Sequence, residues 1–288
     1  MRPADIARLL ALAVIWSASF VFVRVLAPVL GPVWVATSRV LVAGIALTGA
    51  FVMLRRHVDV AAHWREYLFV GVLNSALPFL LFAYAALTLP ASYLVILNSG
   101  LPLFGAIASA IWLAEPLDRG KVAGLVSGAA GVLLVSHAGP VVPDAAFAIA
   151  VVASLGAVLC YALAGVWIKR RARALPPIAM AGWSQLLGGL ALLPIAVMAP
   201  VHGAITPTIV VNVLLLALVC SAIAYVLYFR LIADVGPTRA MTVTFLMPAF
   251  GMLWGWLFLN ETITLPMLAG ATLIVAGTAA VVRQQQRR

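Results

Sequence analysis

The sequence predicts an all-α integral membrane protein of ten transmembrane helices, built as two inverted five-helix repeats. Three observations carry that prediction: an apolar composition, ten apolar runs between breaks, and an internal echo at half the chain length.

Of the 288 residues, 65% are hydrophobic and 9% charged. Soluble domains sit near about 45–50% and about 25%. In lipid, only helices and closed barrels satisfy every backbone group, and nothing here alternates as barrel strands do. The runs between charges or Pro/Gly breaks are 6–27, 33–54, 67–88, 92–113, 119–137, 145–168, 177–199, 208–232, 238–259 and 264–282. Most reach the length of about 20 residues that a spanning helix needs. Helix-start chemistry marks several connections: Pro116 and Asp118 before the fifth run, Pro176-Pro177 at the seventh, Thr264 at the tenth.

The net charge of +10 could suit nucleic acid. Basic residues flanking membrane spans explain it better, because they set orientation. The partner expected is the lipid bilayer, with no nucleic acid. With the N-terminus in the cytoplasm, sixteen of the 18 Lys and Arg fall in inner segments and the five outer loops hold none. Arg24 and Arg39 lie within spans near the outer side. This asymmetry predicts a multi-pass protein of the cell inner (cytoplasmic) membrane with both termini cytoplasmic. Arg2 and Arg8 precede an apolar stretch that runs past Trp16 and Phe20, so it reads as an uncleaved first span, not a signal peptide. Cys160 and Cys220 lie inside apolar runs and read as core fillers. No metal or cofactor is expected.

The echo has an offset of 146. Pro102, Phe104, Gly105, Leu113, Glu115, Ala123, Gly124, Ala130 and Gly131 recur as Pro248, Phe250, Gly251, Leu259, Glu261, Ala269, Gly270, Ala276 and Gly277. These are nine identities in thirty positions, where composition alone would give roughly three. Upstream, Ser75, Ala76 and Leu81 map onto Ser221, Ala222 and Leu227. Two copies of one unit result, 1–140 and 141–288. Five spans per copy is an odd number, so the second copy enters the membrane upside down. Secondary transporters recur in this form, with the solute site between repeats.

The Pro-to-Glu unit, Pro102 to Glu115 with Gly124 and Gly131, and again Pro248 to Glu261 with Gly270 and Gly277, resembles the drug/metabolite transporter superfamily, in particular its EamA-type branch. The resemblance spans the whole chain. It implies a basket-shaped exporter of amino acids, metabolites or drug-like cations, with a cavity lined mostly by spans 1, 3, 4, 6, 8 and 9. In length and in Trp and Tyr content the chain is similar to the aromatic-amino-acid exporters of that branch.

Polar and aromatic groups deep in spans are the candidate cavity residues, because unpaired polar groups are costly in hydrocarbon. Asn74 and Ser75 precede Pro78, and Asn98 and Ser99 precede Pro102. Pro78, Pro102 and Pro248 are expected to kink their helices and free carbonyls. For the polar residues the alternative is a hydrogen bond that only joins helices. Trp16, Phe20, Phe79, Tyr161, Tyr225 and Phe245 fall nearer mid-span, where rings can stack on a solute or attract a cation. Four charges near span ends are candidate gates: Arg24 with Glu261 outside, Lys169 with Glu115 inside. The simpler alternative has the carboxylates stabilising helix N-termini. Arg39 snorkels outward, forms a structural pair, or meets a solute carboxylate. The stripes Gly124/Gly128 and Gly251/Gly255 are close-packing faces within or between protomers, leaving a homo-oligomer open.

No Asp or Glu lies mid-span, which favours facilitated export over a buried proton relay. An enzyme is not expected: the sequence has no HExxH and no GxSxG, and its four histidines fall in or beside loops. The function expected is export of amino acids, aromatic or apolar ones favoured, or of related small metabolites, by alternating access. The rivals are efflux of drug-like organic cations, and a lipid flippase or non-transporting scaffold.

Overall fold

The computed structural model describes residues 2–53, 60–138, 144–172 and 175–286. The expected boundary between repeats at 140/141, and Arg55, Arg56, Arg173, Arg287 and Arg288, lie outside the described residues.

Among the described residues, eight helices are long and apolar enough to cross a membrane, and a ninth apolar helix has 17 residues. In order they are α1 Pro3–Met53, α2 Val60–Ala85, α3 Ala91–Leu113, α4 Arg119–Ala138, α5 Ala145–Arg171, α6 Pro177–Met198, α7 Pro207–Val235, α8 Val243–Leu259 and α9 Leu265–Gln286. The bundle is apolar outside: Ile111, Val126, Val152, Val197 and Leu265 are each more than 60% exposed. Water would drive such side chains inward, whereas lipid solvates them. The chain is a multi-pass membrane protein.

The first two apolar runs form one element of 51 residues, interrupted at Gly31 (φ 77°, ψ 154°) between Pro28 and Pro32. A straight helix of that length would reach about 76 Å, more than twice the hydrocarbon thickness. Glycine adopts this backbone without a Cβ penalty, so the chain breaks there into two arms. The Val29 carbonyl beside it accepts the N–H groups of His202 and Gly203.

Two of the three expected proline kinks lie at real irregularities. A π-helical turn, Val72–Ala76, precedes Pro78, with the Leu77 N–H reaching back to the Val72 carbonyl. Such a turn accommodates a residue that cannot donate. Pro102 is the second residue of Leu101–Leu113, just after Ser99-Gly100 separates it from Ala91–Asn98. Pro248 is the exception: α8 stays helical through it. The irregularity there comes earlier, at Met241-Thr242. A second π-helical segment, Leu215–Ile223, holds Ser221, the echo of Ser75.

Small residues set the tightest helix contacts. A methyl on Gly124 would lie 2.6 Å from the Gly277 carbonyl oxygen, and one on Gly131 2.6 Å from that of Gly270. Ser127 Oγ donates to the Leu273 carbonyl at 2.9 Å. One index rises as the other falls, so α4 and α9 are antiparallel. In the same way Gly44 meets Leu186 while Gly189 meets Leu41, joining the second arm of α1 to α6. The Gly124 face therefore packs inside the protomer.

Candidate substrate cavity

A cavity of about 210 Å³ opens where α1, α2, α3, α5, α7 and α8 meet. Seven of the ten cavity residues expected from the sequence line it: Trp16, Phe20, Asn74, Phe79, Asn98, Tyr161 and Tyr225. Three do not. Ser75 is fully buried behind the lining. Ser99 is turned into the bundle, its hydroxyl on the Ile96 carbonyl at 2.6 Å and its own carbonyl accepting Thr278 Oγ1 at 3.2 Å. Its side chain thus neither lines the cavity nor joins helices; only its backbone carbonyl receives a bond from α9. Phe245 is displaced by its neighbours Val243, Thr244 and Met247. With the α8 helix starting at Val243, Thr244 and Met247 share a face that Phe245 does not.

The other lining residues include Ser19, Val23, Phe82 and Tyr228. Each stands three residues after an expected one: Trp16, Phe20, Phe79 and Tyr225. Helical i, i+3 spacing, carried one step further along each span, would have found all four.

The lining forms two aromatic groups with polar groups between them. Phe20 and Phe82 meet edge to face at 5.2 Å, and Tyr161 lies 6.3 Å from Phe82 and 6.4 Å from Phe79. On the other side Trp16 lies 5.0 Å from Tyr228 and 6.4 Å from Tyr225. Asn74 Nδ2 donates to the Tyr225 hydroxyl at 3.3 Å, tying the polar turn of α2 to α7.

Arg39 corrects an expectation. It does not snorkel outward but is buried and lines the cavity. Eight residues past Gly31, it lies about 12 Å along the second arm of α1. Its Nε donates to Ser221 Oγ at 2.9 Å and its guanidinium carbon stands 3.7 Å from the centre of the Phe79 ring. Ser221 Oγ in turn donates to the Leu216 carbonyl five residues back, a bond that its π-helical turn permits.

The two expected charge pairs differ. Lys169 Nζ meets Glu115 Oε1. Arg24 and Glu261 are parted: Arg24 donates to the Ala86 carbonyl, and Glu261 accepts the N–H of Ala91 at 2.6 Å and of Ser92 at 3.0 Å. Both thus cap the two helix ends flanking the α2–α3 turn, where unpaired backbone groups compete for charge. The carboxylate caps α3, not the tenth span. At that tenth span Thr264 does the capping, its Oγ1 accepting from Met267 N at 3.4 Å.

Comparison with known proteins agrees with the geometry. The model of the EamA-like transporter family matches the chain twice, over residues 6–137 and 148–283. The chain is 27% identical over 266 residues to the "Uncharacterized transporter YvbV" of Bacillus subtilis, covering 92% of this chain and 87% of that one. It is 27% identical over 264 residues to Protein PecM of Dickeya dadantii, covering 90% and 86%. It is also 28% identical to a WAT1-related chloroplastic protein of Arabidopsis thaliana, covering 90% and 64%. One solved crystal structure shares the fold with a TM-score of 0.68 at 17% identity, over 100% of this chain and 99% of that one. Two family units, a multi-pass helical bundle and a cavity at its centre agree: the chain belongs to the EamA-like transporter family.

Proposed function

We propose that the protein is a secondary transporter of amino acids, aromatic or apolar ones favoured, or of closely related small metabolites. It works by alternating access in the cytoplasmic membrane, with both termini inside. The observation that carries this reading is the cavity: about 210 Å³, ringed by aromatic side chains with a few polar groups. Drug-sized ligands occupy sites of about 300–1,000 Å³, so the volume favours a small metabolite. Arg39 in the lining disfavours organic cations.

The reading of ten spans takes the two arms of α1 together with α2 to α9, and is supported by the break at Gly31. The inverted-repeat reading is supported by the double family match and by reciprocal contacts. Gly124 with Gly277 becomes Gly270 with Gly131 under the offset of 146, and Ser127 meets its own counterpart Leu273. Self-pairing of that kind is the mark of a two-fold axis. Alternating access draws support from the charge pairs: the Lys169–Glu115 pair is made while its counterpart, Arg24 and Glu261, is parted. Exchange of these two arrangements would open opposite ends of the cavity. Without a mid-span carboxylate, transport runs down the solute gradient.

The test is uptake of a labelled amino-acid panel into proteoliposomes holding the full chain, with and without an imposed proton gradient. Saturable uptake of aromatic or large apolar members without a gradient is expected. Uptake that requires the gradient would overturn the facilitated mechanism, and no uptake of any member would overturn the substrate class.

A further inference from the structure

Among the described residues, the cavity cation Arg39 has no carboxylate counter-ion. It is 8% exposed. Asp5 and Asp234 pair with Arg8, Glu115 pairs with Lys169, and Glu261 is held by backbone N–H groups of α3. Asp118 and Asp144 accept N–H groups at the starts of α4 and α5. A buried charge left unpaired is strongly destabilising in a membrane protein, and such residues mark solute pathways.

Packing alone does not require the charge. The contacts of Gly44 and Gly189 fix an offset of 145 here, and Arg39 then corresponds to Ser184. That serine turns back on its own helix, to the Ala181 carbonyl at 3.5 Å. The same place in the second copy is thus filled by a small neutral side chain. Of the five guanidinium N–H donors, Nε is used by Ser221, while the other four have no protein acceptor among the described residues. Ser221 and the Phe79 face hold the plane of the group fixed. A fixed planar fork matches a carboxylate with two parallel hydrogen bonds. A single cation balances a single negative charge, and among the described residues no Asp or Glu lines the cavity to receive an ammonium.

We infer that Arg39 is the anion anchor of the cavity. It binds one carboxylate of the solute, while an ammonium on the solute is not required for binding. The apolar part of the solute lies among Trp16, Tyr225 and Tyr228. This inference rests on the reading of the cavity as the solute site. It goes further by naming the group recognised and the residue that recognises it.

Four probes that share a ring test it: 3-phenylpropionate, phenylalanine, phenylalanine methyl ester and phenethylamine. Binding is read as thermal stabilisation of the purified full chain, and flux is read separately in proteoliposomes. In the unaltered protein the two carboxylates are expected to bind at least tenfold more tightly than the ester and the amine, and 3-phenylpropionate no more weakly than phenylalanine. Arg39→Met should lose that preference, and Arg39→Lys should keep its order with weaker binding. A residue that merely held helices together would not change which probe is preferred. If Arg39→Met does not fold, the four-probe ranking on the unaltered chain still decides. Equal binding of amine and carboxylate, a preference that survives Arg39→Met, or no binding of any probe would each overturn the anchor. Carboxylates that bind but are not transported would instead support the anchor and overturn the transport reading.

Discussion

The turn after α3 and the turn after α8 are built from one sequence unit, and their backbones are nearly identical. Ala114 adopts φ 52°, ψ 29° and Asn260 φ 52°, ψ 33°. In each turn the next residue's N–H reaches back six positions, Glu115 to the Ser109 carbonyl at 3.3 Å and Glu261 to the Gly255 carbonyl at 3.0 Å. This closes a left-handed helix end in both copies, one residue wider than a Schellman turn. The carboxylates nevertheless do different things. Glu115 meets the exposed Lys169, whereas Glu261 folds over its own helix and takes two N–H groups at the start of α3. The position six residues back explains how. It is Ser109 in one copy and Gly255 in the other, and a methyl on Gly255 would stand 2.3 Å from Glu261 Oε2. Glycine leaves the space through which that carboxylate reaches its partner. A shared turn fixes where a charge leaves a helix, and a single neighbouring side chain then governs what it can touch.

The difference can be broken from either side. Glu261→Gln removes the charged acceptor of two N–H groups and is expected to cost about 1.5–3 kcal/mol. Glu115→Gln should cost at most about 1 kcal/mol, as partly exposed ion pairs do. Detergent denaturation of the two variants side by side measures the gap, and equal losses would show that the carboxylates are equivalent after all. Gly255→Ala comes next. It is expected to cost about 1–3 kcal/mol by overpacking and to resemble Glu261→Gln in flux, since both release the start of α3. A Gly255→Ala protein of normal stability and flux would remove glycine from the explanation.

The Lys169–Glu115 pair is sharpened by charge exchange. Lys169→Glu alone is expected to lower flux about fivefold, the equivalent of about 1 kcal/mol. Adding Glu115→Lys should restore it. Failure of the double variant to recover would reduce the pair to a surface ornament of the bundle. The smallest effect belongs to Ser109→Gly, expected within about 1 kcal/mol through helix propensity alone, with no change in flux.

Much of this was legible in the chain. Composition and run length give the membrane and the helices, and Asp144, Thr206 and Thr264 cap helices as their residue types suggest. Seven cavity residues follow from asking which polar and aromatic groups lie mid-span. The spans are not uniform rods. Ser75, Ser99 and Phe245 do not reach the lining, and they lie at a π-helical turn, beside a break at Ser99-Gly100 and near a helix starting at Val243, where the angular register is reset. Depth can be counted along a sequence, but facing cannot once the helix repeat departs from 3.6 residues per turn.

The sequence by itself determined what depends on local chemistry and counting: apolar spans, their breaks, the doubled unit and the asymmetry of charge. The tertiary structure alone decided the partners. It turned Arg39 inward onto Phe79 and Ser221, sent Glu261 to Ala91 and Ser92, and left Arg24 on a carbonyl. The reason is physical. A charged side chain near a helix end takes the best partner within reach, and reach depends on which helix packs alongside and how closely its small residues let it approach.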